Sequence, residues 1–210
     1  AYLEALAEAM RHEYQAIVDA GFVLQIDCPD LAMGRHIAFK DLDDDAFLVR
    51  VHEQVEALNH ALRGLPPERI RMHLCWGNYE GPHHRDIDLR KIFAAVMRAR
   101  PQALLFEAAN PRHAHEWAVF EEMRASIPQD KILVPGVVQS SSNYIEHPEL
   151  VAQRIERFAA IVGRERVMAG SDCGFSTFAG DGLVEPQIVY AKLRAMADGA
   201  ALASRRLWAR

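Results

Sequence analysis

The stretch Ile70-Arg71-Met72-His73-Leu74-Cys75-Trp76-Gly77-Asn78-Tyr79 decides how the rest of the chain is read. Its apolar first part predicts a strand from Ile70 through Cys75, and Gly77 and Asn78 open a loop after it. His73 and Cys75 stand two residues apart at the carboxyl end of this strand, so their side chains point the same way. Upstream, Leu3, Leu6, Ala7, Met10, Tyr14 and Val18 recur at helical spacing over residues 1–20, and Gly21 is placed to end that helix. Phe22–Ile26 predicts a short strand, followed by Asp27, Cys28 and Pro29. Asp43–Asp45 can cap a helix that runs to about Arg63, where Gly64 and Pro66 stop it. Downstream, a helix from about Asp88 to Arg100 precedes a strand at Ala103–Glu107. A helix from about His113 to Ser126 leads to strand Ile132–Pro135, and helix Pro148–Val162 leads to strand Val167–Ser171. Pro186–Ala201 reads as the last helix.

Strands that alternate with helices argue for an α/β fold with a parallel sheet. Two architectures fit, a TIM (β/α)8 barrel and a doubly wound open sheet. No G-x-G-x-x-G or Walker loop follows any predicted strand, which weakens the nucleotide-binding open sheet. A complete barrel needs eight strands and typically about 250 residues. Five predicted strands in 210 residues, opening at Ala1 inside a helix, suggest one barrel domain over 1–210 that lacks its N-terminal strands. The loop from Gly174 to Glu185, rich in glycine, lies after a strand, where a lid can sit.

The bulk numbers narrow the function. Acidic residues outnumber basic ones 29 to 24, net charge is −5, and no basic stripe suggests a nucleic-acid partner. The longest apolar runs are strand-length, so no membrane span is expected. Three cysteines do not make a disulfide framework in a chain this long. A cytoplasmic setting, where free thiolates can serve as metal ligands, fits them better. Exposed barrel edges, if strands are missing, favour association into homo-oligomers.

The chemistry collects at strand ends. Besides His73 and Cys75, Glu107 ends the next strand and Cys173 follows the last. In a parallel barrel these ends converge on one face, where active sites sit. Two thiolates, an imidazole and a carboxylate form a tetrahedral zinc shell, and thiolates select zinc over magnesium or calcium. Each alone has a plainer reading: a cysteine there as a small buried hydrophobe, the histidine as a bonded rim residue, the glutamate as a helix cap. Their coincidence on one face is the argument for metal.

These residues also carry a family resemblance. The run His73 to Tyr79, the strand-end Glu107, Val134-Pro135-Gly136-Val137-Val138 and Ser171-Asp172-Cys173-Gly174-Phe175 resemble the catalytic domain of cobalamin-independent methionine synthase. Residues 24–33 are similar to another segment of that family, and the likeness runs from about Gly21 to Phe178. The resemblance implies a barrel, zinc held by His73, Cys75, Glu107 and Cys173, and transfer of a methyl or alkyl group to a thiol. It implies homocysteine or a similar thiol as acceptor, a small-molecule alkyl donor, and contact of Asp27 with the acceptor's amino group. Without it, Asp27 reads equally as a turn former before Pro29. Glu107 is the ligand expected to yield to an incoming sulfur. Trp76 and Asn78 are expected to line the pocket, and Asp172 to support a neighbouring ligand or cap a turn.

The sequence departs from that family in two places. Ser141 falls where the family carries a catalytic histidine, which leaves Ser141 as a substrate-contact candidate, and position 28 is Cys in place of Glu. Residues 142–155 are closer to shorter relatives such as the epoxyalkane:coenzyme M transferase. Thiol alkylation of that second type, and a non-catalytic zinc-binding fragment, are the alternatives.

Overall fold

The computed structural model of the chain describes residues 2–176, 179–180, 182 and 184–209. Among them, strands and helices alternate as the sequence predicts: α1 (Tyr2–Asp19), β1 (Leu24–Cys28), α2 (Asp44–Ala61), β2 (Ile70–Leu74), α3 (Leu89–Met97), β3 (Ala103–Phe106), α4 (Trp117–Glu122), β4 (Ile132–Val138), α5 (Pro148–Val162), β5 (Gly170–Ser171) and α6 (Pro186–Trp208). The sheet order is the chain order, β1-β2-β3-β4-β5. This is the α/β class expected, with five described strands rather than a closed ring of eight. No described helix is long and apolar enough to cross a membrane. The expected lid includes Thr177, Phe178, Asp181 and Leu183, which lie outside the described residues.

The chain divides into two compact units. The first holds Ala1–Gly77, His84–Leu104 and Ser126–Gln129. In it β1 and β2 pair in parallel, with Asp27 opposite His73 and Cys28 opposite Leu74. Leu24, Ile26 and Cys28 are buried while Gln25 and Asp27 are exposed, so β1 shows the alternation of a strand covered on one face. A cavity of about 230 Å3 under that covered face is lined by Met10 and Tyr14 of α1, Ile26 and Cys28 of β1, and Leu58 of α2. Asp43 caps α2 by accepting from Ala46 N at 2.8 Å, as its sequence position predicts. Phe47, Val51 and Val55 of α2 and Ile92 and Phe93 of α3 form the core with Ile70, Met72 and Leu74. Side chains of this size contribute roughly 1.5–3 kcal/mol each when fully buried.

The second unit holds Asn78–His83, Leu105–Ala125 and Asp130–Arg210. Here β4 and β5 pair in parallel, with a register shift between Gly136 and Val138. Val137 and Val138 pack on Val151, Ala152 and Ile155 of α5 and on Ala203 of α6. Phe106, Phe120 and Phe158 form a second cluster, with ring centroids 4.4, 5.4 and 5.5 Å apart. A buried ion pair, Lys192 Nζ to Glu146 Oε2 at 2.9 Å, fixes the loop after β4, because Glu146 Oε1 also accepts the Gln139 N–H at 2.8 Å.

Several element boundaries differ from the sequence expectation; β1 runs Leu24–Cys28 in place of Phe22–Ile26, which brings Asp27 into the strand, and α3 ends at Met97. β4 continues past Pro135 to Val138, with the register shift between Gly136 and Val138. α4 is shorter than expected because 113–119 turn through successive i to i+3 bonds (Glu116 N to His113 O, Ala118 N to His115 O, Val119 N to Glu116 O). β5 contracts to Gly170–Ser171, and Val167 keeps only an isolated bridge to Leu133. α6 extends to Trp208, whose ring is covered by Arg164 at 4.1 Å while Arg164 Nη1 donates to Leu207 O.

Candidate metal centre

In the first unit, His73 is the fourth residue of β2 and Cys75 the residue just after the strand. Both are buried, at 8% and 7% exposure. Ligand atoms of the two lie within 4.8 Å of each other, close enough to share one ion. The Gly77 N–H donates to Cys75 Sγ at 3.3 Å, a contact that favours negative charge on the sulfur. Gly77 has φ +120°, so the chain can fold this amide back onto the thiol.

Asp27 faces solvent on the same side of the strand pair, opposite His73 in register. Desolvation by the surrounding protein raises its pKa; His73 opposes the shift and Cys75 adds to it. Cys28 points the other way, into the helix-covered side, where burial and the carboxylates of Asp30 and Asp27 hold the thiol protonated far above its ordinary range. Trp76 is completely buried and its Nε1–H donates to Ile87 O at 2.9 Å, so its indole braces the loop that follows β2.

In the second unit, Glu107 follows β3 at 4% exposure and Cys173 follows β5 at 7%. Asn110 Nδ2 donates to Glu107 Oε2 at 2.8 Å. Asp172 Oδ1 accepts from the backbone N–H groups of Ala108 and Ala109, and Oδ2 from that of Asn110, all at 2.8 Å. Burial pushes the Asp172 carboxyl pKa up, and these hydrogen bonds pull it down. The backbone around Cys173 is braced on both sides: Ser171 Oγ donates to Cys173 O at 2.7 Å, and Asn78 Nδ2 to Gly174 O at 2.6 Å. Ser140 Oγ donates to Asn78 Oδ1 at 2.9 Å, so Asn78 links the loops after β4 and β5. Ser141 is half-buried and accepts from Gln139 Nε2 at 3.3 Å.

Thus the structure brings His73 together with Cys75 in one unit, and joins Glu107, Asn110, Asp172 and the Cys173 turn by hydrogen bonds in the other. The donors suit a thiophilic ion: sulfur, imidazole nitrogen and carboxylate oxygen, all on buried residues. Sequence reading missed Asn110 and Gly136. Asn110 stands three residues past Glu107 in a turn, a spacing at which a side chain can fold back; Gly136 carried no signal beyond a Pro-Gly pair.

Comparison with known proteins shows the family. Residues 1–201 match the family described as the cobalamin-independent synthase catalytic domain, and the chain belongs to that family. It is similar to YxjG of Bacillus subtilis (30% identical over 203 residues, 90% of this chain and 50% of that protein). It is also similar to the 2-hydroxypropyl-CoM lyase of Xanthobacter autotrophicus, at 26% identity over 168 residues, covering 69% of this chain and 43% of the lyase. Its fold matches a B12-independent methionine synthase from Shewanella sp. W3-18-1, solved in complex with selenomethionine, with TM-score 0.75 at 19% identity. That match covers 99% of this chain and 56% of the other, and the chain spans about half the length of the curated relatives it matches.

Proposed function

We propose that this chain is the zinc-binding catalytic part of a thiol methyl- or alkyltransferase of the methionine synthase type, with His73, Cys75, Glu107 and Cys173 as the ligands. The observation that carries the reading is the buried His73–Cys75 pair at the carboxyl end of β2, with an amide N–H already directed at the sulfur. Membership of the cobalamin-independent synthase family and the placement of Glu107 and Cys173 after β3 and β5 support it. The fold likeness to a methionine synthase supports reading the five strands as part of a (β/α)8 barrel, and 1–210 as part of one catalytic domain.

A bound zinc would supply the acidity that keeps an acceptor thiol as thiolate, the form that attacks carbon. The protein's own residues would do the rest. His73 and the two cysteines would hold the ion by soft and borderline donors. Glu107, oriented by Asn110 Nδ2, would add a charged oxygen donor. Asp27 lies on the His73 face and is placed to accept the amino group of a homocysteine-like acceptor. Asn78 and Ser141 are proposed substrate contacts on the second unit. Trp76 is proposed to shape the pocket wall from its buried position.

The experiment is a turnover assay on the full-length protein with homocysteine, coenzyme M and glutathione as acceptors against methyl-folate and epoxide donors. We expect homocysteine with a methyl donor to react. Coenzyme M turnover with an epoxide would reassign the substrate, and no alkylated thiol with any pair would defeat the enzymatic reading. We further expect Glu107→Gln to lower both zinc content and rate, since it removes the ligand charge while keeping its size; unchanged values would remove Glu107 from the shell.

A further inference from the structure

Asp172 is 1% exposed, yet nothing in the proposed reaction uses it. Its carboxylate is saturated: Oδ1 takes two backbone N–H groups, and Oδ2 takes the Asn110 N–H at 2.8 Å and Asn110 Nδ2 at 3.2 Å. A carboxylate so occupied is an anchor rather than a metal ligand. The residue before its bonded segment is Glu107, and the residue after Asp172 is Cys173. Its own N–H donates to Val138 O at 3.0 Å, which fixes the anchor to β4. We infer that Asp172 is the positioning residue that sets Glu107 and Cys173 at a fixed separation for the metal, with Asn110 transmitting its hold to the Glu107 carboxylate.

Two neighbours are built around this anchor. A Cβ at Gly136 would lie 2.0 Å from Asp172 Oδ1 and 2.7 Å from its Cα, so β4 can pass only with glycine at that point. Arg154 donates to Val137 O at 2.9 Å and Ala109 O at 3.1 Å, placing a guanidinium beside the segment that holds the buried charge. Burying a carboxylate is costly unless its oxygens are satisfied, and here every satisfying donor but one is backbone, which cannot swing away. The result is a rigid link between two turns 62 to 64 residues apart in the chain.

The inference rests on the zinc reading, and the test separates the two. Asp172→Asn keeps the volume but turns an amide NH2 toward the Asn110 donors. We expect its zinc dissociation constant, measured by chelator competition on the full-length protein, to rise about 10–100-fold, the range typical of groups that orient ligands. Asn110→Ala, in a partly exposed turn, removes the Nδ2 bonds to Glu107 and Asp172 and the Oδ1 acceptor for Arg112 N and His113 N, but keeps the three backbone bonds to Asp172; it should weaken zinc about tenfold, at the lower end of that range. In cobalt-substituted protein, Asp172→Asn should also change the thiolate-to-metal absorption band, a signature that general loosening of the fold would not produce. If both variants bind zinc within twofold of the unmutated protein while Cys173→Ser loses it, the positioning role is wrong and the zinc reading stands. If Cys173→Ser and Cys75→Ser keep full zinc, both fall.

Discussion

Lys131 is a cation at 5% exposure just before β4, and it shows what single residues here cost. Burial lowers its pKa to about 8, with Asp130 opposing the shift. The folded chain therefore releases this proton near pH 8, while the unfolded chain holds it to about 10.5. Below pH 8 both states are charged and the folded one carries the net cost of burying the charge; from 8 to 10.5 the unfolded state binds more protons, so stability rises with pH there. Lys131→Met should thus stabilise at pH 7 by on the order of 1–3 kcal/mol, and the gain should shrink across that window. Urea titrations at pH 7 and pH 10 check this, and an equal gain at both would contradict it. At the same scale, the position of His73, Cys75, Glu107 and Cys173 at or just past strand ends was legible, because short apolar runs mark the strands and these residues close or follow them. Asn110 and Gly136 were not, because their importance comes from Asp172, which reaches them from 62 and 36 residues away.

Among the elements, α5 and α6 give the sharpest case of packing overriding local preference. Gly199 sits inside α6, where glycine costs roughly 1 kcal/mol relative to alanine. A Cβ there would meet Val151 Cγ1 at 2.4 Å and Pro148 O at 2.7 Å, and the second is backbone that cannot rotate aside. Gly199→Ala should therefore destabilise by about 1–3 kcal/mol despite its better helix propensity. Denaturant midpoints measure it, and an unchanged or raised midpoint would show that the helices can part at little cost. The starts of α2, α3 and α5 were readable because capping and proline are local signals; Asp88 caps α3 by accepting from Arg90 N at 2.8 Å. The extent of β4, α4 and α6 was not. A proline ended the β4 pattern in sequence, while in the sheet it falls just before the register shift between Gly136 and Val138. The last residues of α6 are held by Arg164, a partner more than 40 residues earlier.

At the scale of the molecule, the alternation of strands and helices was enough to predict a parallel α/β chain, and family membership agrees with it. The division into two compact units was not visible in sequence, since no linker or change of composition marks it. The proposed zinc reading with His73, Cys75, Glu107 and Cys173 as ligands requires both thiols. The most direct measurement is elemental analysis of the purified full-length protein beside its Cys75→Ser and Cys173→Ser variants, each checked for folding by circular dichroism. We expect about one zinc per chain in the unmutated protein and loss of most of it in both folded variants. Full zinc in either variant, or none in the unmutated protein after growth with zinc, would contradict a single four-ligand centre.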